Sequence, residues 1–362
     1  MWPWKDKAIS GWCVLRRDEM SKESDKMSAM IAGVACKVPR VSLVRTFVCI
    51  GSIVLSCSTV RGMEFSNWLR DFRTEVVDSG ISENLVERAF ANINQPLQRV
   101  IELDRRQPET IQSSSEYLAA RVTPGLVRVG RQMLRRYPAW LSRIEGEYAV
   151  QRRFLVALWG VETHYGQYTG TFPVIHSLAT LAYDGRRGDY FRRELTQALR
   201  ILENGHISLP QMRGSWGGAM GQCQFMPSTF LQHAVDADGD GRVDLWGSIP
   251  DALASAANYL KSEGWRYDQT WGRQVSLPDG FDTKVAGLGN RRSLAVWQEL
   301  GVRQFDGSVL PQRKLDASLV LPDGPNGSAY LVYDNFRVLL RWNRSVSFAL
   351  AVGILADRLG AL

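Results

Sequence analysis

Hydrophobic residues recur at helical spacing through most of the chain beyond residue 64. Phe65, Trp68, Leu69 and Phe72 repeat at intervals of three and four, so one face of this segment is apolar. The same spacing predicts helices at residues 82–90, 115–135, 145–165, 189–203, 226–234, 251–264 and 335–359. Glycines that stop a helix follow several of them. The pattern therefore predicts a mainly α-helical chain.

A different pattern interrupts the helices towards the C-terminal end. Three short β-type runs are bounded by Pro-Asp-Gly and Pro-Asn-Gly turns: Gly272–Leu277, Ala317–Pro322 and Ala329–Tyr333. A short helix is predicted between them at Ser293–Leu300. We therefore predict a small β-containing insert at residues 266–334. It follows a helical N-terminal part (64–150) and interrupts a helical core made of residues 151–265 and 335–362.

The N-terminal segment is interpreted as an export signal. Residues 46–60 form an uncharged apolar run that two arginines precede, and the run is shorter than the ~20 apolar residues of a membrane-spanning helix. The four residues ending at Cys57 resemble a lipobox, so lipidation of Cys57 and plain cleavage both remain open. Residues 1–57 are assigned as leader and 58–362 as the folded unit, and the expected location is the periplasm, with or without a lipid anchor.

Composition and charge narrow the function classes. The net charge is +7, but the leader carries nine basic and five acidic residues, so the remainder carries only 7 − 4 = +3. A weakly basic body tolerates an anionic polymer and lacks the charge pattern of a nucleic-acid-binding protein. Four of the five cysteines lie within the leader, which excludes a disulfide framework for the folded unit and predicts that Cys223 is a buried thiol. The 12 tryptophans fit a carbohydrate cleft or a tryptophan-rich core equally well.

One carboxylate stands out in the most hydrophobic helix. The stretch Phe154–Gly166 carries a single acid, Glu162, one turn before the glycine. Leu158, Trp159 and Tyr165 are its neighbours on the helical surface, and their apolar surface disfavours the charged form. The negative end of the helix dipole acts in the same direction, as a general acid requires. From this stretch alone, a solvent-exposed glutamate at a helix end is an equally good interpretation.

Four blocks in this order along the chain resemble the lytic murein transglycosylase B family. They are Arg99–Pro108, Glu162-Thr-His-Tyr-Gly166, Gly214–Phe230 and Asn335–Ser345. The resemblance extends from about residue 64 to the C-terminus and implies a lysozyme-like core. It also implies cleavage of the β-1,4 bond between N-acetylmuramic acid and N-acetylglucosamine in peptidoglycan. Glu162 would act as acid and then as base, leaving a 1,6-anhydromuramyl end without consuming water and without a catalytic cofactor.

The resemblance also implies residues that hold the glycan strand. The candidates are Ser215, Gln224, Tyr117, Tyr190, Tyr259, Trp342 and Asn343. Trp342 stands where the family commonly has tyrosine, so an aromatic platform is expected there and a hydrogen bond from that position is in doubt. Arg186 and Arg187 are candidates for contact with the acidic stem peptide, although a solvated surface pair is an equally good interpretation.

A loop rich in aspartate resembles the start of an EF-hand calcium site. Asp236, Asp238, Asp240 and the carbonyl of Arg242 occupy the first four ligand positions. The usual glutamate at position 12 is replaced by Gly247. By resemblance to the family, Asp251 closes the site. From the residues alone, an acidic turn without a metal is an equally good interpretation. With the resemblance, we expect a structural calcium ion there.

Three other functions compete with this interpretation. A non-catalytic peptidoglycan-binding scaffold would keep the cleft without turnover, and a lysozyme-type hydrolase would use water. A calcium sensor is disfavoured because sensors usually pair two EF-hands. The expected partners are peptidoglycan strands, other cell-wall enzymes and, through a lipid anchor, a membrane, with no nucleic acid.

Overall fold

The computed structural model describes residues 64–105 and 112–360, and most of them are helical. The first helix, α1, covers residues 64–78. The others are α2 Glu83–Phe90, α3 Gln98–Arg105, α4 Ser114–Arg121, α5 Pro124–Arg136, α6 Pro138–Tyr148, α7 Arg152–Thr163, α8 Val174–Asp184, α9 Gly188–Glu203, α10 Pro227–His233, α11 Ile249–Ser262, α12 Leu294–Glu299, α13 Asp334–Trp342 and α14 Val346–Gly360. Two single turns of 3₁₀-helix lie at Leu209–Gln211 and Thr283–Val285.

The strands form two antiparallel sheets. β1 (Phe172–Pro173) pairs with β2 (Arg213–Gly214) inside the helical body. The larger sheet has the order β4-β6-β7-β3-β5, with strands β3 Gly272–Ser276, β4 Arg292–Ser293, β5 Arg303–Gln304, β6 Asp316–Val320 and β7 Ala329–Val332. These five strands and α12 form the predicted insert. The prediction of a mainly α chain with a small β-containing insert is therefore confirmed.

Helix α7 is the centre of the helical body. Every residue from Phe154 to Thr163 is buried, as expected of a helix that is apolar on all sides. Helices α5, α6, α11 and α14 pack around it. The sheet side of the insert has its own apolar cluster, centred on the fully buried Trp297, whose indole N–H donates to the carbonyl of Ala317 at 3.0 Å. The main core therefore fixes the helix that carries Glu162.

Three of the predicted helices are interrupted in the structure, although their hydrophobic pattern is continuous. The predicted helix 115–135 is two helices, because Pro124 begins α5 with Thr123 as its N-cap. The predicted helix 335–359 breaks at Asn343, which has an extended backbone. The predicted helix 145–165 contains the left-handed residue Ala149, so α7 starts only at Arg152. In each case the apolar residues keep their helical spacing across the point where one helix ends and the next begins, so the spacing does not predict that boundary.

Two further expectations concern the membrane and the cysteines. Within residues 64–105 and 112–360, no helix is long and apolar enough to cross a membrane. Cys223 is a buried free thiol, as predicted. The leader and Cys57 lie outside the described residues.

Candidate active site

Helix α7 ends in a tight reversal immediately after Glu162. His164 and Tyr165 have positive φ angles of 51° and 60°, and Gly166 follows at 84°. The Thr163 hydroxyl donates to the carbonyl of Gln222 at 2.9 Å and accepts the Gly166 N–H at 3.0 Å. These bonds fix the end of α7 against the loop of residues 214–226. The position of Glu162 is therefore set by a reversal that is anchored on both sides.

Glu162 is a buried carboxylate with one strong donor. Its side chain is only 5% exposed, and its Oε1 accepts the indole N–H of Trp342 at 2.5 Å. Burial disfavours the ionised carboxylate, whereas this hydrogen bond favours it. The ionised form of Glu162 is thus subject to two opposing influences.

Trp342 is held by an aromatic cluster beneath the carboxylate. Its ring is fully buried and lies 4.9 Å from Tyr259 and 5.3 Å from Phe225, measured between ring centroids. The Tyr259 hydroxyl donates to the carbonyl of Arg341 at 2.9 Å, which fixes the end of α13. The expected aromatic platform is therefore corrected: a fully buried ring offers no face to a sugar. The sequence left open whether the side chain at position 342 forms a hydrogen bond. The indole N–H of Trp342 forms one, to Glu162. Tyr259, 5% exposed, packs in this cluster, and its contact with the glycan stays a prediction.

Tyr117, a residue of α4, lies near Glu162. Burial raises the pKa of its hydroxyl to about 12, Arg121 opposes this rise, and the negative charge of Glu162 adds to it. The Arg121 guanidinium lies 5.6 Å from the centre of the Tyr117 ring. Burial and the same arginine lower the pKa of His164, which therefore stays neutral at neutral pH. Arg121 thus lies near both Tyr117, the neighbour of Glu162, and His164.

Ser215 and Gln224 belong to the turn that packs on the end of α7. The Ser215 hydroxyl accepts the Ala219 N–H at 3.0 Å, and the Gln224 amide donates to the carbonyls of Thr169 and Gly221 at 3.0 and 2.9 Å. Gln224 itself has a φ of 51°. A Cβ on Gly170 would meet the Gly214 carbonyl carbon at 2.0 Å, so the two loops touch through backbone. Ser215 and Gln224 are consequently fixed within the turn that contacts the end of α7 and the loop after it.

The remaining substrate-binding candidates are held by other partners. Arg186 and Arg187 both pair with the buried Asp104, at 3.4 and 2.7 Å. Burial raises the pKa of the Tyr190 hydroxyl, and the neighbouring Glu194 adds to that rise. Asn343 is buried and accepts the Ser345 N–H at 3.0 Å, which shapes the break between α13 and α14. The structure thus places Arg186, Arg187 and Tyr190 together at one groove, and gives Asn343 a structural contact.

The aspartate loop brings three of its predicted ligands together. Carboxylate oxygens of Asp236, Asp238 and Asp251 lie within 4.8 Å of one another. Asp251 is fully buried and accepts the N–H groups of Ala237 and Asp244 at 2.9 and 2.8 Å. Burial raises the pKa of Asp251, its backbone donors oppose that rise, and the nearby Asp238 adds to it. The convergence of three acids, one of them buried, fits a hard cation.

The other two predicted ligands are arranged differently. Asp240 lies outside the group of three, and its carboxylate accepts the backbone N–H of Arg242 at 2.9 Å. The Arg242 guanidinium lies 3.7 Å from Asp244.

Comparison with known proteins identifies the family. The family model for the transglycosylase SLT domain matches residues 64–357. The chain belongs to this family. Membrane-bound lytic murein transglycosylase B of Escherichia coli (strain K12) is 35% identical over 243 residues, which are 64% of this chain and 63% of that protein. The match thus spans less than two thirds of that relative's length.

Solved structures agree in fold. SltB3 from Pseudomonas aeruginosa, in complex with NAG-anhNAM-pentapeptide, is 46% identical with a TM-score of 0.80, over 82% of this chain and 80% of that one. The lytic transglycosylase Slt35 of Escherichia coli, in complex with calcium, is 28% identical with a TM-score of 0.68, over 81% of this chain and 92% of that one. The predicted family and lysozyme-like core are confirmed.

Sequence reasoning missed two side chains that shape the site. Arg121 lies four residues after Tyr117, so helical spacing alone places both on one face of α4. Asp104, which lies in one of the family blocks, is the buried partner of Arg186 and Arg187, and no local pattern indicates that pairing.

Proposed function

We propose that this protein is a peptidoglycan lytic transglycosylase with Glu162 as its single acid and base. The observation that carries the proposal is a buried carboxylate at the end of the central helix whose Oε1 accepts the Trp342 N–H at 2.5 Å. Its position is fixed by the reversal at residues 164–166, so it approaches substrate with little freedom.

In the first step Glu162 is protonated and donates its proton to the glycosidic oxygen. The bond from the anomeric carbon of the muramic acid to that oxygen breaks, and the leaving sugar keeps the proton as a hydroxyl. Trp342 then stabilises the carboxylate that forms, because its N–H already points at Oε1.

In the second step the Glu162 carboxylate removes a proton from the 6-hydroxyl of the same muramic acid. That oxygen bonds to the anomeric carbon and closes a 1,6-anhydro ring. Glu162 regains its starting proton, so atoms balance without water. One residue thereby performs the two roles that separate carboxylates share in most glycosidases.

The other buried carboxylates support a one-acid mechanism. In the described part of the chain, the remaining buried acids are Asp104, Glu194 and Asp251. Asp104 pairs with two arginines, Glu194 accepts both the N–H and the hydroxyl of Ser228, and Asp251 accepts backbone N–H groups. Each is committed to a structural contact away from Glu162.

The substrate assignment rests on the family and its solved members. SltB3 structures hold NAG-anhNAM-pentapeptide and NAG-NAM-pentapeptide. An anhydro sugar is the end that the two steps above would produce. We therefore propose peptidoglycan strands as the substrate and the partner, with the whole protein's activity inferred from relatives that share its fold.

We further propose a structural calcium ion at Asp236, Asp238 and Asp251, supported by their convergence within 4.8 Å and by the calcium complex of Slt35. The ion would offset the repulsion among these acids, and no cofactor is proposed for catalysis. The proposed location is the periplasm, with a lipid anchor at Cys57. The name of the Escherichia coli relative, membrane-bound, supports the anchor.

Digestion of purified peptidoglycan, with mass spectrometry of the products, tests the function. The expected products carry anhydromuramyl ends and disappear in Glu162→Gln. Products heavier by one water would show a hydrolase instead. Binding of strands without any product from the wild-type chain would show a scaffold.

A further inference from the structure

Four arginines line a groove between α5 and α14. Arg128, Arg131 and Arg135 repeat at intervals of three and four along α5, so they share one face of that helix. Arg358 near the end of α14 completes the lining, together with Pro124 and Val127. The groove has a volume of about 480 Å³, and no acidic side chain lines it. We call these four residues the arginine groove.

Backbone carbonyls hold two of these arginines in place. Arg131 donates to the carbonyl of Arg358 at 2.8 Å, and Arg358 donates to the carbonyl of Val122 at 2.9 Å. Val122 directly follows Arg121, the cation beside Tyr117 and His164. A continuous series of contacts therefore links the arginine groove to the surroundings of Glu162.

Three of the four arginines of the groove have no carboxylate partner within the part of the chain that the structure describes. In the described part of the chain, no acid forms an ion pair with Arg128, Arg135 or Arg358. The sequence neighbour Asp357 pairs with Arg153 and accepts the Trp271 N–H. Glu116, on the adjacent α4, caps its own helix. The groove therefore offers an external anion the exposed guanidinium groups of Arg128 and Arg135, beside those of Arg131 and Arg358, which backbone carbonyls hold in place.

We propose that the arginine groove binds carboxylates of the peptides that branch from the glycan strand. This rests on the proposed function and adds a recognition site for peptide outside the cleavage site. The groove is close to the cleavage site along the fold: Tyr165, three residues after Glu162, donates its hydroxyl to the carbonyl of Leu126 on α5 at 2.9 Å. The groove is concave and sized for a small acidic group, which favours a peptide carboxylate over a flat lipid surface.

Binding of soluble strands by the full chain carrying Glu162→Gln tests this proposal. One strand sample keeps its peptides and the other has lost them to an amidase, and fluorescence anisotropy gives both dissociation constants. Adding Arg128→Glu and Arg135→Glu should weaken binding of the peptide-bearing strand about tenfold, or ~1.4 kcal/mol. Raised salt should abolish this difference. The peptide-free strand should bind equally well in both proteins.

The matched control is Arg88→Glu with Arg200→Glu, which reverses two exposed arginines on α2 and α9, helices that do not line the groove. It should change neither dissociation constant, and a thermal melt should find all three proteins folded. Equal losses on both strands, no loss on either, or lost binding to anionic phospholipid vesicles with strand binding intact would each overturn the proposal. Residual cleavage by the Glu162→Gln chain would instead count against the proposed function, because the groove is judged by binding alone.

Discussion

Two regions of the molecule use carboxylates in opposite ways. In the acid site (Glu162 with Trp342), a single carboxylate is buried in an apolar helix and has an indole N–H on one oxygen. In the aspartate loop (residues 236–251), three carboxylates converge and accept several backbone N–H groups. Both regions contain a buried carboxylate, but the acid site has one indole donor and the aspartate loop has several backbone donors and neighbouring like charges.

The difference explains why one region suits proton transfer and the other suits a cation. An isolated, desolvated carboxylate can exist in both protonation states near neutral pH. Clustered carboxylates repel one another when they are charged, so a bound cation would stabilise the folded loop. Four predictions test this contrast, from the largest expected effect to the smallest.

Replacing Glu162 with Gln should remove activity without loss of stability. The amide keeps the shape but neither gives nor takes the proton, so turnover should fall by a factor of at least about 10³. The melting temperature should stay the same or rise, because a desolvated acid is removed. Turnover is measured on peptidoglycan, with the exposed Glu87→Gln as control. Retained turnover would exclude Glu162 as the acid.

Replacing Asp251 with Asn should instead reduce the stability of the folded chain. Asp251 is fully buried and accepts three backbone N–H groups, so the change should cost about 3 kcal/mol of stability and abolish any calcium-induced rise in melting temperature. The control is Asp279→Asn, an exposed position in the insert. Thermal melts with calcium and with a chelator provide the measurement. A calcium response that survives would mean that Asp251 is no ligand.

Replacing Trp342 with Phe should affect the acid site alone. Loss of the N–H leaves the ionised Glu162 without this donor, so we expect about a tenfold fall in turnover. The protonated form should also persist to higher pH, which moves the pH–activity profile upwards. Trp342→Tyr, which restores a donor, should recover part of the activity. Equal losses in both variants would reduce Trp342 to a packing residue.

Lowering the pH should slightly reduce the stability of both regions, because a histidine lies beside each of them. Burial lowers the pKa of His164, which follows the acid site, and of His206, whose Nδ1 accepts the Val243 N–H of the aspartate loop at 3.3 Å. The unfolded chain thus binds more protons, and stability falls as the pH drops from about 7 through the unfolded pKa of ~6.5. Urea unfolding at two pH values should show this slope. His164→Gln and His206→Gln should each reduce it, and an unchanged slope in both would contradict the prediction.

Local patterns predicted the elements well but not their breaks. Residues 189–203 and 251–264 were predicted almost as α9 and α11 occur, because a strong apolar face specifies a helix. The breaks at Pro124 and Asn343 were missed, because the apolar face continues across them in the neighbouring helix. Hydrophobic periodicity indicates which side of a helix is buried. It does not indicate where one helix ends and the next begins with a different axis direction.

The sequence by itself determined the mainly helical class, the β insert, the acid in the apolar helix and, through resemblance, the family. Only the tertiary structure decided what each candidate contacts. Trp342 and Glu162 are 180 positions apart and share a 2.5 Å hydrogen bond, and Arg186 and Arg187 turn to the buried Asp104. Such pairs depend on how distant helices pack. Spacing along one helix contains no information about them.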